Sequence, residues 1–136
     1  MVPWTEQVVN KNGKVKTMNK FVKDSIFVTQ IRPWFKAFPS SQILVLNMHD
    51  MISNPEQFFL QIETFLGLEH AITSTHLFIN NETGLLCSDN YCPNSKSKGR
   101  PHPPIPNKVF QKLKLYFEPY NKELYKLIGK NFHWYK

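Results

Sequence analysis

The order of the predicted elements in this 136-residue chain indicates an α/β fold. Two helical patterns flank a short, continuous apolar run at residues 42–47, and such a run is typical of a strand buried on both faces of a parallel sheet. A long loop and a final helical region follow. Because one strand cannot form a parallel sheet, either unrecognised strands near the start of the chain pair with it, or the chain is a fragment whose sheet lies upstream.

Composition and charge are those of a globular chain with a basic surface. The residues are 41% hydrophobic and 14% aromatic, which favours a packed core over disorder. The net charge of +7 favours a polyanionic partner, such as nucleic acid, a sulfated glycan, a nucleotide or an acidic membrane. No segment approaches the roughly 20 apolar residues that span a bilayer. The start lacks the regions of a signal peptide; if the protein is secretory, its address and any anchor are expected outside this sequence.

The first predicted helix follows a basic N-terminal segment. Residues 1–20 are polar, with a turn signal at Asn12 and Gly13 between two β-prone stretches. A helical pattern then covers residues 24–37, and Pro33 is expected to start a new turn or to kink the helix. The apolar positions of that helix are Ile26, Phe27, Ile31, Trp34 and Phe35.

The second predicted helix has signals at both ends. Asn54 is expected to cap it, Pro55 takes the first helical position, and Gln57 completes a pattern similar to a capping box. Gly67 is expected to stop the helix, with Leu68 folding back. Its apolar stripe, expected in the core, is Phe58, Phe59, Ile62, Phe65 and Leu66. The preceding pair His49 and Asp50 resembles an acid/base pair, but a polar turn is the favoured interpretation.

The second half of the chain is mostly loop until its final helical region. Residues 69–106 contain a possible strand at residues 76–80. The helical region that follows is expected to be interrupted at Pro119 and to end at Gly129. Its lysines predict a solvated face, and contact of some of them with a sulfated glycan is the alternative; they are Lys108, Lys112, Lys114, Lys122 and Lys126.

A close cysteine pair, Cys87 and Cys92, is compatible with a metal half-site, a small disulfide ring or two free thiols. Zinc needs four ligands, and the five histidines are scattered without a paired spacing, so a metal is not expected. A disulfide is favoured because a glycosylation sequon begins nearby at Asn81. Together the two features indicate an oxidising lumen.

A basic loop follows the cysteines: Lys96, Ser97, Lys98, Gly99, Arg100, Pro101 and His102. Its cationic side chains can surround a phosphate with charge-assisted hydrogen bonds, and Gly99 lets the backbone approach the ligand closely. A solvated loop, or a nuclear-localisation patch, is the alternative interpretation of the same residues.

Taken together, these motifs resemble those of Golgi carbohydrate sulfotransferases. Residues 31–46 are similar to the helix-to-strand passage of that family, and residues 52–55 and 65–68 are similar to the helix that follows. The cysteine pair with Lys98, Gly99, Arg100 and then His102 is the most specific part of the match. The likeness is greatest to the heparan sulfate glucosamine 3-O-sulfotransferase group, with the N-deacetylase/N-sulfotransferases as near relatives.

The resemblance implies the C-terminal part of a P-loop-like sulfotransferase fold, a parallel sheet flanked by helices, with the sheet incomplete in this chain. It implies transfer of a sulfuryl group from 3′-phosphoadenosine 5′-phosphosulfate to a glucosamine of heparan sulfate or a related sulfated glycan, in the Golgi lumen and without a metal. Neither nucleic acid nor a membrane is then expected as a partner of this chain. The cofactor-binding residues carried over are Lys98, Gly99, Arg100, Pro101 and His102.

The sequence also departs from the family pattern. Leu85 and Leu86 stand where the family has aromatic residues against the adenine, and stacking on such residues contributes about 1–3 kcal/mol per base. No Gly-rich phosphosulfate loop enters a helix, and no general base is recognisable. We therefore predict one partial sulfotransferase domain over residues 1–136, with no catalytic residue and no activity alone. The alternatives are a non-catalytic module that binds heparin-like polyanions and, disfavoured by aromatic residues at core spacing, a nucleic-acid-binding domain.

Overall fold

The computed structural model of this protein describes residues 4–81, 85–89, 91–92 and 104–134. The described chain forms two units by internal contacts, Met1–Ile43 with Pro103–Lys136 (unit 1) and Leu44–His102 (unit 2). The elements in chain order are α1 (Trp4–Val8), α2 (Lys20–Asp24), α3 (Phe27–Ala37), a 3-10 turn (Ser40–Gln42), α4 (Met48–Ser53), α5 (Pro55–Leu66), β1 (Leu77–Ile79), β2 (Leu86–Ser88) and α6 (Asn107–Ile128).

The core of unit 1 lies between α3 and α6. Ile26, Val28 and Leu124 are buried there. Half-buried apolar and aromatic residues pack against them: Ile31, Tyr116, Phe117, Tyr120, Leu127, Ile128 and Trp134. The same helices are joined at the surface by an ion pair between Arg32 and Glu123. Exposed ion pairs contribute little, so the apolar contact holds these helices together.

Both helices of this core continue through a proline. The predicted interruption at Pro119 is wrong, because α6 runs unbroken from Asn107 to Ile128. Pro33 likewise lies inside α3. A proline removes the hydrogen bond to the carbonyl four residues earlier. That carbonyl belongs to an exposed residue in both cases, Thr29 or Leu115, so water can bind it.

The N-terminal segment of unit 1 turns where the sequence predicts a turn. Val9 and Val15 form an antiparallel bridge, and between them the Gly13 amide donates to the Asn10 carbonyl at 2.8 Å. Gly13 has φ 74°, a left-handed conformation that glycine adopts without strain. The turn signal at Asn12 and Gly13 is therefore confirmed.

The apolar run at residues 42–47 is not a strand of a sheet, so that prediction is wrong. Gln42 ends the 3-10 turn, and residues 43–47 have no regular secondary structure. Ile43 (φ −123°, ψ 112°) and Asn47 (φ −95°, ψ 121°) keep extended backbone angles. The conformation thus agrees with the prediction, but a strand also needs a neighbouring strand, and the described residues provide none here.

Two helices of unit 2 meet at Asn54. This residue ends α4, where its amide donates to the Asp50 carbonyl at 2.8 Å, and it precedes α5 with φ −149°. Its side chain makes no capping hydrogen bond, so the predicted cap is wrong in that respect. The predicted stop is confirmed: Gly67 has φ 67°, and the Leu68 amide donates to the Glu63 carbonyl at 2.9 Å.

A two-stranded antiparallel hairpin is the sheet that the described residues form. Leu77 pairs with Ser88, Phe78 with Cys87 and Ile79 with Leu86, which confirms the strand predicted at residues 76–80. Helices and strands together agree with an α/β chain, although the sheet is antiparallel. Within the described ranges, no helix is long and apolar enough to cross a membrane.

Candidate functional site

The residues predicted to bind the cofactor all lie outside the described residues. They are Lys98, Gly99, Arg100, Pro101 and His102, and the whole stretch 93–103 is undescribed. The described chain stops at Cys92 before this stretch and resumes at residue 104. The β1–β2 hairpin lies directly before this stretch.

The predicted disulfide is confirmed: Cys87 and Cys92 are bonded, with Cα atoms 4.4 Å apart. Inside the ring, Ser88 and Tyr91 exchange two backbone hydrogen bonds of 2.8 and 3.1 Å. Cys87 is only 2% exposed and lies at the centre of β2. Both sulfur atoms are used in this bond, so of the three alternatives the structure has the disulfide ring. The chain thus leaves the hairpin from a covalently fixed residue.

Leu85 and Leu86, where the resemblance implies aromatic residues, lie at the start of the second strand: Leu85 directly precedes β2 and Leu86 is its first residue. Leu85 accepts a backbone hydrogen bond from Asn80 at 2.9 Å, and Leu86 lies opposite Ile79. Both are half-buried, so each still presents part of an apolar surface. Asn81, predicted to carry a glycan, is exposed in the turn after β1, whereas the other two sequon residues lie outside the described ranges.

The pair His49 and Asp50 opens α4, as its polar-turn interpretation predicts. The side chain of Asn47 accepts from the His49 amide at 3.3 Å and donates to the Asp50 carboxylate at 3.2 Å. These are the contacts of a helix N-terminus, and they involve the backbone amide of His49 and one carboxylate oxygen of Asp50.

A buried carboxylate in unit 2 was missed by sequence reasoning. Glu63 on α5 is 5% exposed and accepts hydrogen bonds from the His70 ring at 2.6 Å and from the amides of Ala71 and Ile72 at 3.0 Å each. The other ring nitrogen of His70 lies 3.8 Å from Glu56. The available signal was the position of Glu63, four residues after Phe59 within an apolar stripe.

This network favours a charged pair. The hydrogen bond from His70, together with the bonds from Ala71 and Ile72, holds the pKa of Glu63 below its ordinary value despite the opposing effect of burial. The same hydrogen bond to Glu63, aided by Glu56, raises the pKa of His70. An imidazolium held between two carboxylates is suited to fixing the segment after α5. It is poorly suited to releasing a proton.

The lysines of α6 form a stripe along the helix. Lys108, Lys112, Lys122 and Lys126 recur at spacings that bring them to one side, and the outer two are about 27 Å apart along the axis. Lys122 lies 2.7 Å from Glu118, and the Lys112 ammonium donates to the Gly13 carbonyl at 2.6 Å. The solvated face predicted for these lysines is thus partly engaged in contacts within unit 1.

No protein-family model matches this chain, whereas curated proteins of known class do. It is 30% identical to mouse heparan sulfate glucosamine 3-O-sulfotransferase 6 over 128 residues, 90% of this chain and 37% of that protein. It is 32% identical to human heparan sulfate glucosamine 3-O-sulfotransferase 5 over 126 residues, 89% of this chain and 36% of that protein. Mouse heparan sulfate glucosamine 3-O-sulfotransferase 3B1 is 27% identical over 143 residues, 98% of this chain and 36% of that protein.

These similarities confirm the resemblance that the motifs predict. The relatives are the enzymes of the group named from the sequence, and the match covers nearly all of this chain. The chain spans little more than a third of the length of these curated relatives.

Proposed function

Because 89–98% of the chain matches heparan sulfate glucosamine 3-O-sulfotransferases, we propose that it is part of a sulfotransferase acting on glucosamine in heparan sulfate. The donor in this proposal is 3′-phosphoadenosine 5′-phosphosulfate. The similarity along nearly the whole chain is the observation that carries the proposal. The same origin accounts for the disulfide, since a Golgi lumen permits disulfides and the attachment of a glycan at Asn81.

The proposed role of this chain is to bind the 3′-phosphate end of the donor. Arg100 grips the phosphate with two parallel N–H donors, Lys98 adds a point charge, and Gly99 admits the nucleotide against the backbone. These donors suit a phosphate dianion, so the residues present fit the ligand. The disulfide supports the assignment because it fixes Cys92, where the loop begins, and this lowers the entropy lost when the loop closes on the nucleotide.

The chemistry itself needs groups beyond these. In sulfuryl transfer the acceptor oxygen attacks sulfur while the bond to the nucleotide phosphate breaks, and positioned cations must stabilise the charge on the leaving phosphate. With five glycines and no Gly-rich loop entering a helix, this sequence supplies no obvious site for that end of the donor. We therefore propose a partial P-loop-like domain that is inactive alone.

Calorimetry with 3′-phosphoadenosine 5′-phosphate, the product nucleotide, tests this function. Arg100→Ala is expected to weaken binding by at least about tenfold, because a charged hydrogen-bonding group contributes roughly 1.5–3 kcal/mol. Arg32→Ala is the matched control, since Arg32 is the other arginine of the chain and pairs with Glu123. Equal binding by wild type and Arg100→Ala would reject the assigned site. Absence of nucleotide binding, with heparin binding retained, would instead favour the non-catalytic heparin-binding module.

A further inference from the structure

Three lysines surround a pocket of unit 1 that the proposed function does not use. The pocket has a volume of about 330 Å³ and lies between the N-terminal turn and the first part of α6. Its polar lining consists mainly of Lys11, Lys108, Lys112, Asn10, Asn12 and Glu6. Three ammonium groups against one carboxylate leave an excess of positive charge, which favours an anionic ligand.

One of these cations is held in place by the fold. The Lys112 ammonium donates to the Gly13 carbonyl at 2.6 Å, across 99 residues of sequence. It occupies the space where a side chain of residue 13 would begin, so the glycine at this turn serves the lysine as well as the backbone. An ammonium has three donors, so up to two remain for a ligand. The conformational entropy of the Lys112 side chain is already lost when the protein folds, so its loss does not weaken ligand binding.

A second cavity continues the positive surface. It has a volume of about 300 Å³ and shares Glu6, Asn10, Lys11 and Asn12 with the first, and it adds Lys16. Two adjoining sites with lysines suit a ligand that carries anionic groups at repeated positions. A polymer with one anion per site would bind more tightly than a single free anion.

The lining also indicates which polyanion fits. No aromatic side chain lines either cavity within the described residues, so a stacking surface for nucleic-acid bases is missing from both. The hydroxyl of Thr5 and the amides of Asn10 and Asn12 are suited instead to the hydroxyl groups of a sugar.

We propose that this pocket binds a sulfated sugar of a polysaccharide chain, as a glycan site formed by residues other than Lys98, Gly99, Arg100, Pro101 and His102. The identity of the ligand as a sulfated glycan rests on the proposed function. The site itself rests on the pocket, the fixed ammonium of Lys112 and the charge around it.

Two double variants on the same helix test the site with the full-length protein and a heparin-derived hexasaccharide. Lys108→Gln with Lys112→Gln removes two pocket cations, and Lys122→Gln with Lys126→Gln removes the same charge at the same spacing elsewhere on α6. We expect the first pair to lower the affinity at least about tenfold, and the control pair by less than about threefold. An equal loss in both would mean diffuse attraction to charge and would overturn the site.

A single variant distinguishes loss of the binding site from loss of folding. Lys112 contacts Gly13, whereas Lys11 is exposed on the turn, so Lys11→Gln leaves that contact intact. It is expected to weaken hexasaccharide binding without lowering Tm, and unchanged affinity would count against the pocket. Duplex DNA of equal charge provides the other comparison. If DNA binds as tightly as the hexasaccharide and is lost in the same variants, the assignment to a sulfated glycan is wrong.

Product-nucleotide binding separates this proposal from the proposed function. The double variant Lys108→Gln with Lys112→Gln should leave the affinity for 3′-phosphoadenosine 5′-phosphate unchanged. A wild-type protein that binds the nucleotide, with hexasaccharide affinity unaltered in the pocket variants, would reject the glycan site alone. A wild-type protein that binds the hexasaccharide in the pocket without binding the nucleotide would reject the proposed function and retain the site.

Discussion

Opening the Cys87–Cys92 disulfide is expected to destabilise unit 2 by about 2 kcal/mol. The two cysteines are separated by 5 positions, so the closed loop contains six residues. The chain-entropy relation assigns a loop of this size about 7 cal/mol/K, which corresponds to about 2 kcal/mol near room temperature. A short ring therefore contributes a modest amount, and most of it through the unfolded chain.

Urea unfolding with and without reductant measures this contribution. With a denaturant slope of about 2 kcal/mol per M, the midpoint of the wild type is expected to fall by about 1 M on reduction. Reduction leaves both sulfur atoms in place, so it isolates the cross-link from the change in volume at the buried Cys87. The double variant Cys87→Ala and Cys92→Ala should unfold at the same midpoint in both conditions and is the control.

An unchanged midpoint in the wild type would refute this reasoning. It would mean that the hydrogen bonds between Ser88 and Tyr91 already close the turn in the unfolded ensemble, so that the cross-link removes no freedom. Nucleotide affinity gives a second readout, because reduction should also weaken binding by the loop that begins after Cys92. If Arg100→Ala abolishes binding while reduction leaves it intact, the disulfide does not anchor that loop.

Three further predictions concern the packing and charge of the described units. Leu124→Ala, at a position 3% exposed, should destabilise unit 1 by about 2–5 kcal/mol, whereas Leu115→Ala, 69% exposed on the same helix, should change stability by less than about 0.5 kcal/mol; equal effects in urea unfolding would contradict the core assigned here. Gly13→Ala should cost at least about 1–2 kcal/mol, since alanine is strained at φ 74° and its side chain would displace the lysine ammonium that binds this turn; an unchanged Tm would show that the turn relaxes. The stabilisation from the Glu63–His70 pair should be greatest between pH 4.5 and 6.5, the ordinary pKa values of the two groups. It should decline as the pH falls through the lowered pKa of Glu63, and also as the pH rises through the raised pKa of His70. A pH-independent Tm difference between wild type and His70→Gln would contradict this prediction.

Local signals in the sequence predicted local structure well. Pro55 and Gly67 mark the ends of α5 because proline fits the first helical turn and glycine adopts the left-handed conformation after the last. The disulfide was predicted from the close cysteine pair together with the nearby glycosylation sequon at Asn81. In each case the deciding interaction lies within a few residues of the signal.

The failures concern partners that are distant in sequence or exposed to water. Residues 42–47 have the composition of a strand, but pairing depends on a neighbour that their own sequence does not specify. Pro119 has the local signature of a break, but its position on the solvent side of α6 makes the lost hydrogen bond cheap. The contact of Lys112 with Gly13 joins residues 99 positions apart, and no local pattern predicts it.

The division of the chain into two units affects the order in which its parts fold. Unit 2 is contiguous from Leu44 to His102, so it needs no later segment of the chain to be complete. Unit 1 is interrupted by it, and the partners of Ile26 and Val28 are not synthesised until α6 emerges. During translation the apolar side of α3 therefore stays exposed until α6 has been synthesised. Exposed apolar surface of this kind makes nascent chains prone to aggregation or to chaperone binding. The pocket between the N-terminal turn and α6 joins segments that are far apart in sequence, so the chain between them must first be brought together as a loop. We therefore expect this pocket to be one of the last features to form.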